Sequence, residues 1–276
     1  MTRHIQLPAT GVLMVSTDVH GNRADLQRLV AIFEAERRNN IDIHWVILGD
    51  LVHGPDDASS REDPALYGYT DESPRMVHDV LEVMRRNQDR VHYVLGNHDH
   101  GHVGGPHPSK FHDDEVAALE SRMDAVTLAA MRWLFSHALL AVTTRNGLLL
   151  THGSPGPELR SLQQLEAISL DMSCNNPADN AALKTLLTSY GQQSDVAAAT
   201  LRRLGSDDNP LHVVIHGHDR DDAGFYREGD NQLCLCIFGA PDAEKRYLRV
   251  DLSYMVRSAS DLVDGRHIRR LYLPVR

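Results

Sequence analysis

The stretch RVHYVLGNHDHGH, residues 90–102, decides how the rest of the chain is read. A short apolar run stops at a glycine, and Asn97, His98, Asp99, His100 and His102 follow at once. Apolar runs of this length, bounded by glycine and polar residues, are the pattern of buried strands. Four other stretches repeat the arrangement. GVLMVST runs into Asp18 and His20, IHWVILG into Asp50, GLLLT into His152, and LHVVIHG into His218. Each strand-like run therefore delivers a side chain that can bind a metal to its C-terminal end.

Between these runs lie segments with apolar residues at helical spacing, over 23–37, 75–86, 114–135 and, with a break at SCNNPADN, 157–204. Strand–helix alternation points to a layered α/β fold. The tail stretches QLCLCIFGA, RYLRVDLS and IRRLYLPV read as successive strands, which suggests a second, more antiparallel sheet packed on the first. No repeat or low-complexity linker divides the chain, so 1–276 reads as a single domain. Residues 54–74 and 101–115 are polar, rich in Pro and Gly and without periodicity, and they read as loop insertions, which at this length are commonly functional.

Composition narrows the chemistry. Seventeen histidines against three cysteines favour nitrogen and oxygen ligands over thiolates. The Cys234-x-Cys236 pair, with Cys174 apart, gives neither a disulfide framework nor a zinc knuckle, so the thiols are expected to be inert in a reducing compartment. The formal charge of −10, with no Lys/Arg cluster interleaved with aromatics, argues against nucleic acid as a partner. No apolar run approaches a membrane span, and the N-terminal residues show no signal-peptide core. The expected location is the cytoplasm.

A set of carboxylate, imidazole and amide oxygen ligands can hold two divalent ions about 3.5–4 Å apart, close enough to clamp a phosphate and activate a shared water. One carboxylate must bridge the two ions, and Asp50 is the natural choice. Each motif alone is weak. Their order along the chain, D-x-H, GD, GNHD, HG and GH, is specific.

This order resembles the calcineurin-like metallophosphoesterase superfamily over roughly residues 12–250. Within it, GDLVHGP, LLLTHGSPGP and IFGAPDAEKRYLRVDL are most similar to the phosphoprotein phosphatase branch. The resemblance implies a four-layer α/β/β/α sandwich, with two packed mixed β-sheets flanked by helices. It implies one metal on Asp18, His20 and Asp50, and a second on Asp50, Asn97, His152 and His218, with Mn, Fe or Zn all compatible. It also implies a metal-bridging hydroxide as nucleophile and His98 as the general acid for the leaving oxygen.

Two departures from that branch stand out. Where it has GDxVDRG, this chain has His53 and Gly54 in place of the Asp that orients the catalytic His and the Arg that grips phosphate. Asp99, or a backbone carbonyl, is the expected substitute for orienting His98. Arg220 is the first candidate for gripping phosphate, ahead of Arg75 and Arg23. The chain also reads GHDR where many superfamily members end in GHxH. His216 is thus an alternative ligand, although alignment on the glycine selects His218. His100, His102, His107 and His112 are expected to be mostly exposed loop residues, and His44 and His92 structural. Trp45 and Trp133 are expected in the core.

The expected activity is hydrolysis of phosphate monoesters, with a phosphoprotein or small phosphate ester as substrate and a protein serine/threonine (or tyrosine) phosphatase as the first form of it. The alternatives are a dinucleoside-polyphosphate hydrolase or nucleotide phosphodiesterase, and a non-catalytic metal-binding module.

Overall fold

The computed structural model describes residues 2–39 and 41–272. Its strands are β1 (His4–Gln6), β2 (Val12–Ser16), β3 (Ile43–Ile47), β4 (Val91–Tyr93), β5 (Ala141–Thr143), β6 (Leu148–Leu150), β7 (Val213–His216), β8 (Phe225–Arg227), β9 (Gln232–Leu235), β10 (Arg246–Asp251) and β11 (Ile268–Arg270). One sheet has the order β1-β5-β6-β7-β9-β8, the other β11-β10-β2-β3-β4. Each sheet has a parallel run, β6-β7-β9 in the first and β2-β3-β4 in the second; antiparallel contacts add β8 and the mutually parallel pair β1 and β5 to the first, and β10 and β11 to the second.

The two sheets pack face to face. Leu13 and Val15 of β2 and Val46 of β3 meet Leu148 and Leu150 of β6, Val213 and Ile215 of β7, and Leu233 and Leu235 of β9. Alternate residues turn outward, because successive side chains of a strand point to opposite faces. Met14, Trp45 and Ile47 pack on Leu26, Leu29 and Phe33 of the helix Arg23–Arg38 and on Met76, Val77 and Val80 of the helix Ser73–Arg86. Leu149 and Val214 face Leu183, Leu186, Leu201 and Leu204, from the helices Pro177–Thr188 and Ser194–Leu204. The result is the expected four-layer sandwich. Both faces of the central strands are buried, so they appear in sequence as unbroken apolar runs.

Several details differ from expectation. The tail strands do not form a sheet of their own. β9 joins β7, whereas β10 pairs with β2 and β11 with β10. Of IRRLYLPV, residues 273–275 lie outside those described. The helix expected over 114–135 is two helices, Glu115–Glu120 and Ala125–Ser136, because the Asp124 side chain accepts from Thr127 N at 2.7 Å and starts the second. The first part of 157–204 is largely irregular, with Gln164–Ala167 its one α-helical turn. Trp45 is buried and donates to Ser16 Oγ at 2.9 Å, but Trp133 is 52% exposed and stacks on His137.

The five motif-bearing strands, β2, β3, β4, β6 and β7, all end toward one edge of the sandwich. Strand ends in α/β folds gather ligand sites because loops diverge there and leave a crevice.

Candidate active site

The turns after these strands are sharp. Among the described residues, six non-glycine positions have left-handed backbones, and four of them are Asp18 (φ 47°), His20 (φ 39°), Asp50 (φ 52°) and His218 (φ 65°). A fifth is His53 (φ 69°). Such conformations carry strain and cluster at functional sites, where the surrounding structure holds them. Two glycines make the approach possible. A Cβ on Gly96 would collide with Asp50 Oδ1, and one on Gly217 with Thr17 Oγ1 and Asp18 Oδ2.

Asp50 sits at the centre. Its Oδ1 accepts from His98 N at 2.9 Å. Its Oδ2 lies 3.4 Å from His20 Nε2 and 3.4 Å from His152 Nε2. On the His20 side, Asp18 Oδ1 is 3.9 Å from the same His20 nitrogen. On the other side, Asn97 Oδ1 lies 3.0 Å from His152 Nε2, and the His218 ring stands 5.1 Å from that of His152. Ligand atoms of Asp50, His152 and His218 converge, as do those of Asp50, His20 and His98. One carboxylate thus serves two groups of metal-capable atoms.

The tautomers show what this donor set is suited to hold. His152 Nδ1 lies 2.6 Å from the Leu48 carbonyl, and His20 Nδ1 lies 3.3 Å from that of His53. A ring nitrogen facing a carbonyl must donate, so Nε2 of each neutral ring presents a lone pair. Those lone pairs face the Asp50 carboxylate and, for His152, the Asn97 amide oxygen as well. Acceptor against acceptor is stable only with positive charge between them, and the N/O set fits divalent ions. Protonation reports the same demand. Burial alone would lower the His152 pKa, but Asp50 and Asp18 outweigh it and raise it to about 10. Burial pushes the Asp18 carboxyl up to about 7, against the pull of His152. His216 shares in none of these groups. It is fully buried beneath the site, and its Nδ1 meets Gly217 O at 2.9 Å.

The cleft over these atoms has a volume of about 570 Å³ and is also lined by Lys110, Tyr190, Arg220 and Phe238. Arg220, the first candidate for gripping phosphate, is among its lining residues. Arg23 and Arg75 are instead engaged with Asp79 and Glu72. Lys110 was not foreseen. It comes from the 101–115 insertion, and its Nζ lies 4.4 Å from the Phe238 ring centroid. The other insertion braces the floor of the cleft, where Tyr69 donates to His20 O at 2.8 Å and His53 N donates to Ser73 Oγ at 3.1 Å.

The expected partner of His98 needs correction. Asp99 does not touch the His98 ring. Asp99 Oδ2 accepts from Asp50 N, Tyr93 Oη and Gly96 N, and Oδ1 accepts from Leu51 N. Four donors hold it under the Asp50 turn, which makes it a support for that backbone. The carboxylate beside His98 is Glu115, at the end of the 101–115 insertion. Its Oε2 lies 2.8 Å from His98 Nδ1 and 3.0 Å from His53 Nδ1, and its Oε1 accepts from Phe111 N at 2.7 Å. Both imidazole contacts are ionic in distance but bent away from a straight hydrogen bond. Histidine pairing, together with the Phe111 N–H, outweighs the effect of burial and holds the Glu115 carboxyl far below the usual carboxylate range. His53 occupies the position of the motif's second Asp.

Two of the loop histidines expected at the surface are buried. His100 meets Leu170 O at 2.7 Å, and His102 joins the His53 cluster. His107 and His112 are exposed, and His44 and His92 stack on one another away from the cleft.

Residues 12–220 match the calcineurin-like phosphoesterase family. No curated protein sequence matches the chain. Among solved structures, a protein serine/threonine phosphatase from Saccharomyces cerevisiae with similarity to human phosphatase PP5 superposes with a TM-score of 0.59 at 13% identity, over 90% of this chain and 76% of its own. A cold-active protein tyrosine phosphatase gives a TM-score of 0.54 at 14% identity, over 94% of this chain and 80% of its own. A putative diadenosine tetraphosphatase gives 0.48 at 17%, over 91% and 94%. The first two share the fold. With 209 of its residues (12 to 220 inclusive) matched by the family's own pattern, the chain belongs to the calcineurin-like phosphoesterase family.

Proposed function

We propose that this protein is a phosphomonoesterase working through two metal ions, with phosphoproteins or small phosphate esters as substrates. The observation that carries the reading is the Asp50 Oδ2 atom, equidistant at 3.4 Å from imidazoles of two ligand groups. Asp18, His20 and Asp50 would hold one ion. Asp50, Asn97, His152 and His218 would hold the other. When bound, such ions lower the pKa of water and neutralise charge on the phosphoryl oxygens.

The protein's own groups complete the chemistry. Lys110 and Arg220 line the cleft and would meet the phosphate oxygens, taking the role of the missing motif arginine. His98 gives a proton to the leaving oxygen from the ring nitrogen opposite Nδ1. Glu115 holds that ring by its Nδ1 and favours the charged imidazole. The reducing cytoplasm is the proposed location. It suits the three free cysteines, and no described helix is long and apolar enough to cross a membrane.

Substrate profiling tests the reading. With Mn²⁺ supplied, a phosphopeptide or p-nitrophenyl phosphate is hydrolysed and a diadenosine polyphosphate is not. The reverse preference would replace this proposal with a dinucleotide hydrolase. Glu115 makes its own prediction. Glu115→Gln keeps the shape but loses the charge, and the expected result is a fall in kcat of about 10- to 100-fold with KM nearly constant, within the range of an acid that is present but poorly poised. Glu115→Asp recovers part of it. An equal loss in both variants with both kinetic constants altered would make Glu115 a packing residue.

A further inference from the structure

Behind His98 lies a second cluster that the proposed chemistry does not use up. His53 Nδ1, His98 Nδ1 and Glu115 Oε2 converge at separations of 3.2, 2.8 and 3.0 Å. All three residues are buried. The surrounding contacts fix how His53 presents itself. His102 Nδ1 lies 3.0 Å from Glu120 Oε1, and since a carboxylate only accepts, that nitrogen donates. The Nε2 of neutral His102 is then an acceptor, and His53 Nε2, 2.9 Å away, donates to it. Neutral His53 is left with a lone pair on Nδ1, which faces His98 Nδ1 at 3.2 Å and the Glu115 carboxylate at 3.0 Å. Glu115 Oε2 has no straight hydrogen-bond donor. The single proton on His98 Nδ1 is what separates these three acceptor atoms, and a cation can take its place.

We infer that His53, His98 and Glu115 form a third cation site, distinct from the two-ion centre, that binds Zn²⁺ and inhibits the enzyme. The geometry suits zinc. Tetrahedral coordination at about 2.0–2.1 Å puts ligand atoms about 3.3 Å apart, so the three atoms need to open by only a few tenths of an ångström. The pair His102 and Glu120 orients His53 from behind, the outer-shell arrangement that metal-binding imidazoles require. Binding displaces the proton between His98 Nδ1 and Glu115 to solvent. With Nδ1 on the ion, the ring can no longer become an imidazolium; it keeps its proton on Nε2 as a neutral imidazole, a far weaker acid, and transfer to the leaving oxygen is slowed. The site itself stands without the phosphatase reading, and only the inhibition rests on it.

The test is zinc bound per chain after equilibrium dialysis, read beside turnover of a phosphoserine peptide, an alkyl ester whose leaving oxygen needs the acid. The wild type should take up three zinc ions, and filling of the third should coincide with loss of turnover. His53→Asn tolerates the left-handed backbone and should take up two. The zinc concentration that halves its activity should rise at least about tenfold, the usual cost of losing a metal-site partner. Glu115→Gln should also stop at two, and His107→Asn, at the exposed His107–Asp114 pair, should keep three. A wild type that saturates at two, or a third zinc retained in both His53→Asn and Glu115→Gln, overturns the inference. A third zinc without any hydrolysis would uphold the site and remove the phosphatase reading.

Discussion

His98→Asn is expected to lower kcat by about 100- to 10,000-fold, the contribution of one well-placed general acid, while the protein keeps both metal ions. Several features of the site support this size. His98 is buried at the cleft wall, its ring edge-on to His20 at 4.7 Å, with Glu115 on its Nδ1. Although burial opposes charge on this ring, Asp50 and Glu115 more than compensate and raise its pKa above the ordinary value. An acid so poised holds its proton to higher pH than an ordinary imidazole and faces the cleft where the leaving oxygen would lie. Its loss should matter most for substrates with poor leaving groups and least for p-nitrophenyl phosphate, whose phenolate departs without help. His98 also converges with His20 and Asp50 as a possible ligand. Elemental analysis of the variant separates the two roles. Retention of both ions with lost turnover assigns the acid, whereas loss of an ion would make His98 a ligand.

The second large effect is expected at Asp50. Asp50→Asn should reduce the bound ions from two to at most one and lower kcat/KM by at least about 1,000-fold, since ion-borne charge stabilisation supplies several kcal/mol of the barrier. The substitution is nearly isosteric. Asn retains an Oδ1 to accept from His98 N, and the Asp50 backbone stays anchored by Asp99, so the turn itself should survive. What disappears is the one negative atom lying between His20 and His152. A ligand that binds only the folded state stabilises it by RT ln(1 + [L]/Kd), so with weakened metal binding the rise in Tm that metal gives the wild type should be largely absent in the variant. A variant that keeps two ions and most of its activity would show that Asp50 does not bridge.

The two-sheet sandwich and the convergence of the candidate ligands were legible in the sequence for one physical reason. Strand, turn and ligand are contiguous in each motif, so the apolar run and the polar residue after it report local structure together. Asp18, Asp50, Asn97, His152 and His218 each follow their strand directly. The partner of His98 was not legible. Asp99 is adjacent in sequence, but neighbouring side chains on a helical turn diverge, and Asp99 is drawn to four donors around the Asp50 turn. Glu115 lies in a polar loop where it reads as an ordinary acidic residue at a helix start. Only the fold brings it under His98. The same holds for Lys110, and for the sharing of tail strands between sheets, since pairing partners are set by contacts distant in sequence. The three-residue strands β1 and β5 are too short to show a period.

The most direct test of the two-ion account is a crystal structure with phosphate and Mn²⁺ bound, with the metals located by anomalous scattering. The account predicts two peaks about 3.5–4 Å apart with the Asp50 carboxylate between them, phosphate across both, and Lys110 or Arg220 on its outer oxygens. A single peak, or two peaks that do not share Asp50, would contradict it.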